Sequence, residues 1–396
     1  MNPPLLVGSS LNINDFEQHL HVTNSRLRAT EPVSWIPCLD AWFVTSYELC
    51  THVMRDAKNY TVDHPGFSTA QVVGHSMLSK DGEAHQRHRL PFERPFRKKA
   101  VESRFKHLST EYIQTLIKAL KPGGQAELQR AYAGPIAVQT MIAALDLEET
   151  PVYQVLTWYD AIVNAVTQIS SGKPVGKEGK LAFEALKESL LPSLKNDAKS
   201  SLLATASGAA QNLSPDEIIS NAAVLLFGGI ETTEGMIANA LYYLMSNHVI
   251  MDQVKDNPEL IPLVIEESLR LEPAASVVDR YATRDIQLGN VVIKEGDLVR
   301  VSLAAANRDP DVFPEPDVFN LNRPNLRSHV TFAHGPHVCL GLHLARLEAK
   351  LALTSVLQDL DHLELKNDAE SLELAKPKGL IFRKPEALHC HWKSSG

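Results

Sequence analysis

The chain has 396 residues, of which 44% are hydrophobic and 22% charged, and its formal net charge is -8. That is the balance of an ordinary globular protein with ample core material, and the acidic excess excludes a general nucleic-acid binder, which needs surplus Lys and Arg to neutralise phosphates. No run of about twenty apolar residues occurs, and the N-terminus lacks a cationic start ahead of an apolar stretch, so neither a membrane span nor a leader is expected and the protein is placed in the cytoplasm.

In chain order, residues 1–29 carry little signal. Two short runs rich in β-branched and aromatic residues, 32–37 and 41–46, flank Cys38, Leu39 and Asp40 and predict a hairpin. Helical periodicity then dominates. Apolar residues three and four apart predict helices over 46–57, 83–94, 100–121, 126–147, 151–170, 177–197, 215–246, 248–256, 258–271 and 340–359. Ser214, Pro215, Asp216 and Glu217 form a helix start, with a capping hydroxyl, a proline at the first helical position and acids in the first turn. From about residue 280 short extended pieces punctuated by Gly289 and Gly296 predict a small sheet. No repeat, low-complexity tract or dividing linker interrupts the chain. The expectation is one mainly α (α+β) domain over 1–396 with small β-sheets.

The four cysteines, Cys38, Cys50, Cys339 and Cys390, lack CxxC spacing, which disfavours a disulfide framework or a paired-cysteine zinc site. Cys339 is set apart by its surroundings. Residues 332–341 read F-x-x-G-x-x-x-C-x-G, with Cys339 one residue before a predicted helix begins. Backbone N–H groups at a helix start favour an anionic thiolate, and Gly335 and Gly341 let the backbone approach a flat ligand. Three chemistries fit: a zinc site with His334, His337 and His343, a nucleophile needing a distant histidine, or a haem ligand, for which one sulfur suffices. A plain buried thiol is the bland alternative.

This loop resembles the haem-binding loop of the cytochrome P-450 family, in its bacterial form F-G-x-G-x-H-x-C-x-G, with Ala333 replacing a common glycine. A methyl group there is tolerable only if the backbone angles are ordinary. The resemblance implies Cys339 as the axial ligand of the iron of haem b (iron protoporphyrin IX). It implies that Phe332 and Gly341 line the cofactor and that His337 donates to a propionate.

Other pieces of the same family follow in the same order. The helix over 215–246 contains Gly228, Gly229, Ile230, Glu231, Thr232 and Thr233, matching (A/G)-G-x-(D/E)-T-(T/S). Read alone, this is a core helix with a packing glycine pair, or one in which the Thr232 hydroxyl competes for the Gly228 carbonyl and loosens the helix into a groove. By resemblance, Glu231 and Thr232 are catalytic, Thr232 hydrogen-bonding the oxygen being activated and Glu231 delivering protons. Glu267 and Arg270 form an ExxR pair which, by resemblance, is buried and joined by Arg323. Arg280, and His85 with Arg89 in an HxxxR, match propionate-binding positions. Asn307 and Asp309 suit a turn before Pro310.

Position matching also places Phe67, Val72, Val73, Val224, Phe227, Ala275, Ser276, Val277, Val278, Leu380 and Ile381 around a hydrophobic substrate pocket, the first three in a mobile lid. The resemblance implies a monooxygenase inserting one oxygen atom from O2 into a small organic substrate. The chain has no room for a flavin or iron-sulfur domain, so electrons are expected from a separate ferredoxin or flavodoxin with an NAD(P)H-dependent reductase. Arg94, Arg97, Lys98, Lys99, Arg104 and Lys106 concentrate positive charge where such an acidic partner could dock, unless they are simply a solvated helix start. The alternative function is a haem-based sensor that binds a gas or ligand without turnover.

Overall fold

The predicted hairpin forms in a computed structural model that describes residues 7–145, 147, 149–170, 176–195, 202–203 and 213–394. Strands β1 (Val33–Ile36) and β2 (Ala41–Val44) pair antiparallel with Val33 opposite Val44. The reversal passes through Asp40 at φ 46, a left-handed position that aspartate tolerates better than most residues.

Two compact units divide the chain, one built from residues 1–60, 108–136 and 232–396 and the other from 61–107 and 137–231. The first holds the sheets. Its main sheet has the order β1-β2-β8-β5-β3, where β3 is Tyr60–Thr61, β5 Val277–Ala282 and β8 Leu298–Ser302. Strand β8 runs parallel to β2 and antiparallel to β5. Strands β6 (Ile286–Leu288) and β7 (Val291–Ile293) form the small hairpin expected after residue 280. A third sheet joins β4 (Gln125–Glu127), β10 (His389–His391) and β9 (Glu364–Leu365).

The helices are α1 (Leu20–Thr30), α2 (Tyr47–Arg55), α3 (Ser68–Val73), α4 (Gly82–Glu93), α5 (Lys98–Leu120), α6 (Gly134–Ala144), α7 (Val152–Ser170), α8 (Glu178–Leu190), α9 (Pro215–Met245), α10 (His248–Asp256), α11 (Ile261–Leu271) and α12 (Leu342–Asp359), with shorter helical turns between them. Ser46 caps α2, its hydroxyl accepting from Leu49 N–H. At α9 the cap is reciprocal: Glu217 N–H donates to the Ser214 hydroxyl at 3.2 Å and Ser214 N–H to the Glu217 carboxylate at 2.9 Å.

The single helix expected over 126–147 is a correction. Residues 125–127 pair as a strand with β10, a π-helical turn follows at Gln129–Ala133, and α6 starts only at Gly134. Glu127 explains the break, because its carboxylate accepts from the N–H groups of Gln129, Arg130 and Leu388 and so satisfies donors a continuous helix would use differently. The helix expected over 177–197 ends at Leu190, and 196–197 lie outside the described residues. The segment expected as a lid contains α3, with Val72 and Val73 buried and a Val72 methyl 3.4 Å from where a Cβ on Gly179 of α8 would lie. Helix α1 was not legible from residues 1–29.

In the first unit, α11, α12 and the C-terminal half of α9 share an apolar core that includes Ile237, Leu241, Leu269, Leu353 and Val356. Among the described residues, no helix is long and apolar enough to cross a membrane.

Candidate active site

The loop between Val330 and α12 is built by backbone hydrogen bonds. Cys339 N–H donates to the Phe332 carbonyl at 2.8 Å, Val338 N–H to Gly335 at 3.2 Å and Ala333 N–H to Val330 at 2.9 Å. Gly335 has φ +76, and a Cβ there would lie 2.6 Å from the Met54 carbonyl oxygen of α2, so glycine is required on two counts. Ala333 lies at φ 58, so its backbone angles are not ordinary and the methyl group carries left-handed strain where the family often has glycine. Helix α12 begins at Leu342, three residues past Cys339 rather than one, because Gly341 takes the cap position. Cys339 itself is exposed and in no disulfide, and Phe332, Val338 and Leu340 beside it are half-buried.

Behind the loop lies a buried ion network. Both oxygens of Glu267 accept from Arg270, at 2.8 and 2.7 Å, and Arg323 Nε donates to Glu267 Oε1 at 2.8 Å. Glu267 and Arg270 are fully buried. Their remaining valences are also filled: Arg270 donates to the carbonyls of Asn307, Pro316 and Val318, Arg323 to those of Pro314, Glu315 and Val318, and Asn320 N–H to Glu267. Such satisfaction is what a buried charge needs. Asn307 carries the network onward, its amide donating to the Thr331 hydroxyl at 2.8 Å and its side-chain oxygen accepting from Val330 N–H at 2.7 Å. Asp309 accepts from Tyr47 N–H at the start of α2.

A second cluster sits beside the first. Arg346 of α12 binds Glu266 of α11 through both carboxylate oxygens, at 2.6 and 2.9 Å, while its guanidinium lies 4.5 Å over the Phe332 ring. His329 Nε2 is 3.0 Å from the same carboxylate. Burial alone pushes the Glu266 carboxyl up, but the hydrogen bonds from Arg346 and His329 outweigh it and hold its pKa at about 2.

Helix α9 is buried for most of its length but opens on one face. Gly228 is exposed, and Glu231 and Thr232, three and four residues later, are half-buried. The expected loosening at Thr232 does not interrupt the helix, which runs unbroken from Pro215 to Met245. Buried Leu226 and Ile230 anchor it on either side of the glycines, and Met141 of α6 packs so closely on Gly229 that a Cβ would lie 2.1 Å from its sulfur. Within the same unit, the Tyr159 hydroxyl of α7 donates to the Glu231 carboxylate.

The family model for Cytochrome P-450 matches residues 182–391. The chain is 31% identical to Cytochrome P-450 109 of Bacillus spizizenii over 90% of this chain and 88% of that protein. It is also 31% identical to the mycinamicin IV hydroxylase/epoxidase of Micromonospora griseorubida, covering 92% and 94%. The solved structure of P-450BioI in complex with hexadec-9Z-enoic acid ligated acyl carrier protein aligns with a TM-score of 0.84 at 26% identity, over 96% of this chain and 100% of that one. The chain belongs to the cytochrome P-450 family. It is a haem monooxygenase, and its prosthetic group is haem b.

The residues present suit a haem in a P-450. An exposed sulfur rimmed by half-buried apolar side chains offers one soft donor and a surface that a flat hydrophobic ligand would cover. Among the described residues, no three His, Cys, Asp or Glu side chains gather to hold a bare metal ion, so the zinc reading with His334, His337 and His343 has no ligand set. A porphyrin iron brings four ligands of its own and needs one from the chain. A bound haem would activate O2, and a thiolate ligand would help by donating electron density.

The other predicted positions divide by unit. His337, Gly341 and Arg280 lie in the first, Arg280 on β5 donating to the Asp279 carbonyl at 2.7 Å. His85 and Arg89 lie one turn apart on α4 in the second, His85 buried and Arg89 half-buried. Of the pocket positions in the first unit, Val277 and Leu380 belong to an apolar cluster with Phe16 and Phe43, Ile381 packs against it, and Val278 packs on a neighbouring cluster. Ala275 is half-buried, and the buried Ser276 hydroxyl donates to the Leu380 carbonyl. In the second unit Phe67 and Val224 are buried and Phe227 is half-buried. Arg94, Arg97, Lys98, Lys99 and Lys106 are exposed, Arg104 is half-buried over Phe105, and Leu90 is an exposed apolar residue one turn before Arg94.

Sequence reasoning missed Glu266, Arg346, His329 and Tyr159. Glu266 is the residue next to the ExxR glutamate, and Arg346 stands one heptad after Cys339, which is a usable signal. Nothing local marks Tyr159, because one aromatic in an amphipathic helix reads as core.

Proposed function

We propose that this chain oxidises a hydrophobic small organic molecule in the cytoplasm, working as a single P-450 domain over 1–396 in which Cys339 would hold the haem iron. The observation that carries the assignment of roles is the face of α9 on which Gly228 is exposed and Glu231 and Thr232 are half-buried, between the buried Ile230 and Thr233. A glycine there leaves room, a hydroxyl can donate, and a carboxylate can take up and release protons. Thr232 would hydrogen-bond oxygen at the haem site, Glu231 would supply protons there, and the Tyr159 hydroxyl, which donates to Glu231, would orient its carboxylate. By resemblance, His85, Arg89, Arg280 and His337 would each bind a propionate, and Phe332 and Gly341 would lie against the macrocycle. Phe67, Val72, Val73, Val224, Phe227, Ala275, Val277, Val278, Leu380 and Ile381 supply apolar walls that exclude water around the substrate.

Electrons arrive from a separate ferredoxin or flavodoxin reduced by an NAD(P)H-dependent reductase. The exposed cations from Arg94 to Lys106, with Leu90 beside them, support an acidic docking partner. The test supplies haem-loaded protein with NADPH, surrogate ferredoxin and reductase, and a panel of fatty acids, terpenes and steroids. Coupled product formation from at least one apolar compound is expected and should collapse in Thr232→Ala. Ligand-induced spectral shifts without product across the whole panel would count against the reading.

A further inference from the structure

We infer that Arg346, clamped by Glu266 and stacked on Phe332, is a positioning residue that sets how readily the haem iron takes an electron. The inference rests on Cys339 being the axial ligand, and its contacts all lie within the first unit.

The geometry leaves the guanidinium little freedom. Glu266 takes its edge with two charge-assisted hydrogen bonds of 2.6 and 2.9 Å, and the Phe332 ring takes its face at 4.5 Å. A planar, delocalised cation is the side chain that can satisfy a carboxylate fork and an aromatic face together, and a lysine could not. His329 closes the other side, its ring 3.0 Å from the Glu266 carboxylate and 6.3 Å from the Phe332 ring centroid. Phe332 is no bystander to the ligand loop, because its carbonyl accepts the Cys339 N–H at 2.8 Å. One fixed positive and one fixed negative charge therefore stand directly behind the residue that closes the cysteine loop.

Glu266 is 6% exposed and Arg346 31% exposed, so the pair acts through a medium that screens charge less than bulk water. Reduction moves one electron from the iron-sulfur or flavin partner onto ferric iron, giving ferrous iron and adding one negative charge at the site. A nearby cation favours that step and a nearby anion opposes it. The two members of the pair must therefore work in opposite senses, which is a signature that loose packing would not give.

The experiment is spectroelectrochemical titration of the haem-loaded full chain and its variants, with the carbon monoxide difference spectrum recorded alongside. Arg346→Gln leaves Glu266 without its cation and should move the midpoint potential negative. Glu266→Gln should move it positive, and the double variant should return close to the unmodified value. Arg346→Lys, which keeps the charge and loses the fork, should fall between Arg346→Gln and the unmodified protein. Shifts of the two single variants in the same direction, or no shift in either, would overturn the inference. If one single variant fails to retain haem, the sign of the other's shift decides. The axial-ligand reading fails separately, on Cys339→Ala keeping a thiolate-type carbon monoxide spectrum, and that result does not depend on Arg346.

Discussion

The Tyr159 hydroxyl donates to the carboxylate of Glu231, joining α7 to the acid that precedes Thr232. Positioned proton donors contribute about 100-fold or more to a rate, so Glu231→Gln should slow product formation by roughly that factor. Tyr159→Phe removes only the hydroxyl, and a hydrogen bond to a charged group is worth about 1.5–3 kcal/mol, so a loss of roughly tenfold to 100-fold is expected. Both variants should divert electrons to hydrogen peroxide while leaving substrate binding unchanged. Product per NADPH, measured beside a spectral binding titration, checks this.

Glu267 is fully buried and accepts from two buried arginines and a backbone amide. Removing one partner of a buried pair costs about 3–5 kcal/mol, because the other charge is left uncompensated. Glu267→Gln and Arg323→Leu should therefore lower the melting temperature and the haem content together. A variant of the exposed Lys294–Asp285 pair should change neither, since solvent-exposed pairs contribute little. Thermal unfolding followed at the haem absorption band compares them.

Ala333 holds a left-handed conformation that costs a non-glycine residue about 1–2 kcal/mol. Ala333→Gly relieves the strain but gains flexibility in the unfolded chain, worth about 0.4–1 kcal/mol against it. The net gain should be about 0.5 kcal/mol, visible as a higher denaturant midpoint. Gly335→Ala should do the reverse, since its Cβ would press on the Met54 carbonyl.

The folded Glu266 carboxyl has a pKa of about 2 against an ordinary 4.5. A lowered carboxyl pKa means the unfolded chain binds a proton first as pH falls, so the stability this group supplies is full above about 4.5 and is lost down to about 2. Acid unfolding of Glu266→Gln should be flatter across that window. Glu217 also sits at about 2, chiefly through its hydrogen bond from Arg87, but it lies near the surface, so Glu217→Gln should change the acid profile far less. Fluorescence-monitored unfolding between pH 6 and 2 separates the two.

Lys98 and Lys99 are exposed at the start of α5. Reversing both to Glu should slow reduction by an acidic ferredoxin and remove the salt dependence of that rate, because electrostatic steering acts mainly on association. Stopped-flow reduction at low and high KCl tests it.

Much of this site could be read before any coordinates. Cysteine, glycine and threonine at fixed spacing are local signals, but the burial of the Glu267–Arg270–Arg323 network was implied only by the family resemblance, since a Glu and an Arg three apart are ordinarily a surface pair. Ala333 could not be judged, because its strain lies in a backbone angle that no residue type declares. The break at 126–147 was hidden for a different reason. Its cause is Glu127 meeting the N–H of Leu388, a partner 261 residues away. Tyr159 was equally silent, since it acts through a residue on another element and its periodicity is that of an ordinary helix face, whereas Arg346 is marked only by its heptad spacing from Cys339.

The parallel pairing of β2 with β8, Trp42 opposite Val299, limits how far this enzyme could be trimmed. A minimal fragment cut to 182–391, the stretch the family model matches, would keep the cysteine loop and most of α9's surroundings in the first unit but lose β1 and β2. That would leave the Val299–Val301 edge of β8 bare, a row of unpaired amides and carbonyls free to recruit the same row of another copy. Such a truncation should self-associate rather than fold.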